Sequence, residues 1–128
     1  MSNSKTVVIT GASSGIGFGL AKAFLASGFN VVGNARSAER LAEAKAQLDS
    51  PAFIGVAGDI AKPETARRLI QASIDAFGQV DVLVNNAGFF LPKPFIEYSP
   101  EDIQGMLETN LKGVVYASQA AAAHMIER

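Results

Sequence analysis

Short, unbroken runs of apolar residues recur along the chain, each followed by a stretch with helical spacing. Val7-Val8-Ile9 is continuous rather than alternating, as expected of a strand buried on both faces. Phe18 to Ser27 then reads as a helix carrying Leu20, Ala21, Phe24 and Leu25 on one side, with Gly28 placed to end it. Val31-Val32-Gly33 predicts a second buried strand. Ser37 can cap a helix to about Leu48, with Glu39 favourable in its first turn. Phe53 to Ala57 predicts a third strand, and Pro63 and Gly78 bracket the next helix. Val80 to Val84 is the fourth strand. Ser99-Pro100-Glu101-Asp102 starts another helix with a cap, a proline and two acids. From about Asn110 to the C-terminal Arg128 the chain predicts one long helix rich in alanine.

Strands alternating with helices of this length imply an α/β fold, with a parallel sheet covered by helices on both faces. Right-handed crossovers restrict the topology to a doubly wound, Rossmann-like sheet in the expected order 3-2-1-4, truncated after the fourth strand. No repeat, low-complexity tract or linker is visible, so residues 1–128 read as one domain. The fourth strand is left at an edge, and an apolar edge invites pairing with another chain. With the small residues of the last helix, this predicts a homo-oligomer, a dimer or a tetramer.

Composition narrows the field further. The 128 residues are 48% hydrophobic, with a formal net charge of -1, which gives no electrostatic case for nucleic acid or an anionic membrane. There is no cysteine, which removes thiol chemistry. The single histidine, His124, has no partners for a metal site or a triad, and no metal is expected. No signal peptide or membrane span is expected, and a cytoplasmic setting follows.

The candidate chemistry begins at Thr10-Gly11-Ala12-Ser13-Ser14-Gly15-Ile16-Gly17, between the first strand and its helix. Gly11 allows a tight turn, Gly15 leaves room for a dinucleotide, and Gly17 lets the helix pack close to the sheet. A pyrophosphate would then meet the unpaired N–H groups of the helix start, with the Ser13 and Ser14 hydroxyls nearby. No lysine follows the last glycine, which argues against a nucleoside triphosphate with magnesium.

Four features in order resemble the short-chain dehydrogenase/reductase family. The glycine turn is similar to that family's T-G-x-x-x-G-x-G motif. Asp59-Ile60 is similar to its pair beside the adenine, and Asn85-Asn86-Ala87-Gly88 to its N-N-A-G motif. Asn110 lies where the family places an asparagine of its catalytic set. The resemblance spans the whole chain and about the first half of a typical member. It implies a nicotinamide cofactor held by Gly11, Ser13, Ser14, Gly15, Ile16, Gly17, Asp59, Ile60, Asn86, Ala87 and Gly88. In the family, the asparagine matching Asn110 keeps a helix backbone open around a water and supports a proton relay. The family's catalytic serine and Tyr-x-x-x-Lys pair lie beyond the resembling segment. Tyr98 is followed at that spacing by Asp102 and Tyr116 by Ala120.

The end of the second strand selects the nucleotide. Folds of this kind favour NAD through a carboxylate there, and NADP through a nearby arginine. In Asn34-Ala35-Arg36-Ser37, Ala35 stands where the family's acid would be, and Arg36 is similar to its NADP-type arginine. A guanidinium can grip a phosphate with two parallel bonds. Asn34, Arg36 and Ser37 therefore join the expected cofactor set, and the expected cofactor is NADP(H).

Each residue also has a plainer reading. Arg36 can be a solvated cation, Asp59 a loop cap, Asn86 a turn former, and Thr109 or Asn110 the cap of the last helix. Asp75 and Asp81 flank a turn with no base or sugar site to serve. Lys62, Arg67 and Arg68 read as a solvated face. Phe89, Phe90, Leu91 and Phe95 form either a substrate-pocket floor or a cover over the sheet end. Two functions stay open. One is the NADP(H)-binding portion of a short-chain oxidoreductase acting on carbonyl or alcohol substrates, inactive as the isolated chain. The other is a non-catalytic nucleotide-binding or assembly protein of the same descent.

Overall fold

A computed structural model describes residues 4–127. Arg128, to which the last helix was expected to run, lies outside the described residues. The elements are β1 (Thr6–Ile9), α1 (Gly15–Ala26), β2 (Asn30–Ala35), α2 (Ala38–Leu48), β3 (Phe53–Ala57), α3 (Pro63–Phe77) and β4 (Val82–Val84). A 3-10 turn at Phe95–Glu97 precedes α4 (Pro100–Leu107), a π-helical turn (Glu108–Lys112) and α5 (Gly113–Glu127). The sheet is parallel, in the order β3-β2-β1-β4, as the strand–helix alternation predicts.

β1 explains the continuous apolar run. Its side chains alternate between two cores. Val8 joins Val32, Leu69, Ile70, Ala117 and Ala121 on the α3/α5 side. Val7 and Ile9 join Ala21, Val31, Leu41 and Phe53 on the α1/α2 side. Phe53 lies across Gly33, where a Cβ would come within 2.9 Å of its ring.

Three boundaries differ from the sequence expectation. The first helix begins at Gly15, not Phe18, so two glycines of the motif form its first turn. β4 begins at Val82, not Val80. The Val80 N–H is instead taken by His124 Nε2 at 3.2 Å, which gives the lone histidine a structural job at the strand entrance. The last helix does not start at Asn110. α4, the π turn and α5 run as one continuous helical path, so neither Thr109 nor Asn110 is a cap.

Two charged groups set aside above also acquire partners. Asp81 Oδ2 accepts from the Thr6 N–H at 2.8 Å and holds the start of β1. Arg68 donates to the Ala57 carbonyl at 3.2 Å, so it closes the end of β3 and is not merely solvated. Among the described residues, no helix is long and apolar enough to cross a membrane.

Candidate functional site

The turns leaving β1 and β4 meet at the carboxyl end of the sheet, and Thr10 fastens them. This residue is only 2% exposed. Its hydroxyl accepts from the Asn86 N–H at 3.0 Å and the Ala87 N–H at 2.9 Å. Asn86 returns the connection, its Nδ2 donating to the Gly11 carbonyl at 3.0 Å. From sequence alone, Thr10 has no task beyond its place in the motif. Both partners lie more than seventy residues away in sequence, so no local signal could assign it one.

Gly11 and Gly17 are forced by this meeting. A Cβ on Gly11 would come within 2.9 Å of Ala87 Cα. One on Gly17 would overlap the Gly11 carbonyl and approach Asn86 Nδ2 to 2.6 Å. Gly17 therefore permits close packing against the loop and Asn86, which is more specific than a general approach of helix to sheet. Gly15 is different: no protein atom lies within 4 Å of its would-be Cβ, and its requirement is the left-handed φ of +57°. Ser14 is the N-cap of α1, and its side chain makes no capping bond. The first-turn amides thus have no side-chain acceptor from the cap.

A cleft of about 410 Å³ opens over these turns. Gly11, Ser13 and Ser14 line one side, and Asn34, Ala35, Arg36, Ser37 and Arg40 another. Ile60, Asn86, Ala87, Gly88, Phe89 and Thr109 complete it. Most of the expected cofactor residues are therefore gathered at one place. Arg40 is an addition that the sequence reading missed. It stands four residues beyond Arg36, in the first turn of α2, and no local signal set it apart from other surface cations.

Gly15, Ile16, Gly17, Asp59 and Asn110 are not among the residues lining the cleft, and Asn34 lines it with its side chain engaged elsewhere. Ile16 projects from the first turn of α1, 76% exposed. Asn34 is buried and lines the cleft, but its amide donates to the carbonyls of Val56 at 3.0 Å and Gly58 at 3.1 Å. Its side chain ties β2 to the end of β3. Asp59 Oδ1 accepts from the Ala61 N–H at 3.0 Å, so the loop-cap role is realised at one oxygen. Asn110 sits in the π turn and reaches sideways. Its Oδ1 accepts from the Phe89 N–H and its Nδ2 donates to the Phe89 carbonyl, both at 2.8 Å.

The aromatic loop splits between the two expectations. Phe89 lines the cleft, whereas Phe90 and Phe95 are 73% and 81% exposed. The loop is braced from below, where the Tyr98 hydroxyl donates to the Leu91 carbonyl at 2.8 Å. Lys93 Nζ also lies 2.5 Å from Asp102 Oδ2. That lysine, with the Ser99 N–H, holds the Asp102 carboxyl below the usual carboxylate range.

A doubly wound parallel sheet with a glycine-rich turn at the carboxyl end of its first strand defines a nucleotide-binding domain of the Rossmann type. The family model for short chain dehydrogenase matches residues 5–128, and the chain belongs to that family. It is 40% identical over 126 residues to serine 3-dehydrogenase of Rhizobium radiobacter, covering 98% of this chain and 50% of that protein. Its identity to 3beta-hydroxysteroid dehydrogenase 1 of Eggerthella lenta is 38%, over 97% of this chain and 49% of that one. The crystal structure of 3-ketoacyl-(acyl-carrier-protein) reductase from Brucella melitensis, complexed with NADH, matches with a TM-score of 0.91 at 33% identity. That match covers 96% of this chain and 51% of the reductase. The chain thus spans about half the length of the relatives it matches. The family commonly binds NAD(P)(H).

Proposed function

We propose that the chain is the NADP(H)-binding portion of a short-chain oxidoreductase acting on carbonyl or alcohol substrates, and that it turns over none of them alone. The observation that carries the cofactor half of this reading is the cleft wall at Ala35-Arg36, where a guanidinium stands and a carboxylate does not. The residues fit the cofactor. Gly15 presents no side chain toward the loop, and α1 begins without a capping side chain. Ser13 and Ser14 bring hydroxyls to the same wall.

In this reading the glycine turn and the α1 start receive the pyrophosphate. Arg36 meets the 2′-phosphate, and Ser37 lies beside it. Ile60 packs against the adenine, with the second oxygen of Asp59 facing its amino group. Asn86, Ala87 and Gly88 take the ribose on the nicotinamide side, and Ile16 covers the cofactor from the helix start. The bound cofactor supplies or accepts a hydride. Asn110 is the one member of the catalytic set within these residues, and it acts by positioning.

Hydride transfer to a carbonyl leaves charge on oxygen that needs a proton donor. Tyr98 is engaged with the Leu91 carbonyl, and Tyr116 lies beside Pro63 and Arg67, away from the cleft. The test is NADPH oxidation by the purified 128-residue chain with a panel of aldehydes and ketones, with equilibrium dialysis of NADPH in parallel. Binding without turnover is expected. Turnover that survives repurification and is lost in Asn110→Ala would overturn the inactive-chain reading.

The same reading includes self-association. Ile103, Leu107, Leu111 and Val115 recur every fourth residue along the path from α4 to α5, each between 42% and 57% exposed. Among the described residues, β4 pairs only with β1. A homo-oligomer covers both features, and sedimentation equilibrium over a concentration range checks it.

A further inference from the structure

We infer that Arg40 is a second phosphate-binding cation of the cleft and that, with Arg36, it sets selectivity for a 2′-phosphorylated nucleotide. This rests on reading the cleft as the NADP(H) site. Arg40 lines that cleft and also a neighbouring cavity of about 360 Å³. Ser13 and Ser14 line both as well. Arg40 and the two serines therefore stand at the boundary between the two spaces, whereas Arg36 lines only the first.

Neither arginine has an ion-pair partner among the described residues, where the ion pairs are Lys93–Asp102 and Lys112–Glu108. Glu43 lines the neighbouring cavity beside Arg40 but forms no ion pair with it. The Arg40 backbone is fixed, since its N–H donates to Ser37 Oγ at 3.1 Å. Its side chain thus leaves from a defined point in the first turn of α2, four residues beyond Arg36. Two cations flank the start of α2, where positive charge is mildly unfavourable. An anion shared between them removes that conflict. Two planar forks, one just before α2 and one in its first turn, can bind different oxygens of one phosphate, which a single arginine cannot saturate.

Calorimetric titration with adenosine 2′,5′-bisphosphate and with AMP isolates the 2′-phosphate. Arg40→Gln should weaken the bisphosphate roughly tenfold, the scale of one charge-assisted bond, and AMP by less than about twofold. Arg40→Lys should keep part of the difference. Circular dichroism melting of both variants verifies that the fold is intact. If the unaltered chain prefers the bisphosphate and Arg40→Gln leaves that preference unchanged, Arg40 has no such role while the cofactor reading stands. If the unaltered chain binds both probes equally, or neither, the cofactor reading fails and the inference with it.

Discussion

The side-chain amide of Asn110 pairs with the backbone of Phe89 in both directions, accepting from its N–H and donating to its carbonyl at 2.8 Å each. The bond crosses from the π turn to the segment that leaves β4. It also dictates the neighbour: a Cβ on Gly88 would lie 3.0 Å from Asn110 Oδ1. A widened helical turn and an Asn-rich loop are thus two sides of one connection.

Replacing Asn110 breaks both bonds. Asn110→Ala should destabilise the chain by about 1–2 kcal/mol, less than two fully buried bonds because Asn110 is exposed. Asn110→Asp keeps an acceptor and loses the donor, so its cost should be comparable. Urea unfolding measures both. A neutral Asn110→Ala would mean that the Phe89 backbone finds equivalent partners in water.

Gly17 and Gly19, two residues apart in α1, make a matched pair. Gly17→Ala drives a methyl into the Gly11 carbonyl and should cost about 3 kcal/mol or more through backbone displacement. Gly19→Ala meets nothing within 4 Å and should stabilise α1 by about 0.5–1 kcal/mol. Thermal melts of the two variants should therefore move in opposite directions. Equal shifts would contradict the packing at Gly17.

Acid should loosen the brace under the aromatic loop. The Lys93 ammonium and the Ser99 N–H lower the Asp102 carboxyl below its ordinary value of 3.8. A lowered folded-state pKa contributes stability that is present above the unfolded value and lost as pH falls through the folded one. Lys93→Ala should raise the Asp102 titration toward 3.8. Carboxyl-carbon NMR reads this directly, and an unmoved midpoint would show that Lys93 does not hold the carboxylate.

The sheet order and the glycine turn were legible because they rest on local pattern. A continuous β-branched run marks a strand buried on two faces, and Val7 to Ile9 occupy those faces in alternation. The start of α1 was misplaced because glycine is a poor helix former, and here a tertiary contact outweighs that propensity. His124 looked idle because its partner, Val80, is 44 residues away. The π turn was invisible for a similar reason: it is built around a side chain whose partners lie outside its own helix. Of the site, the motif glycines and Arg36 could be read from spacing. Thr10 and Arg40 could not, since their importance comes from which strand ends and turns the fold brings together.

In the proposed function, this cleft recognises a 2′-phosphorylated nicotinamide dinucleotide through Arg36. Calorimetric titration of NADPH and NADH into the 128-residue chain at equal salt tests it most directly, repeated with Arg36→Ala. Tighter binding of NADPH is predicted, with Arg36→Ala weakening it by about 1–3 kcal/mol and leaving NADH nearly unchanged. Equal affinity of the unaltered chain for both nucleotides would contradict it.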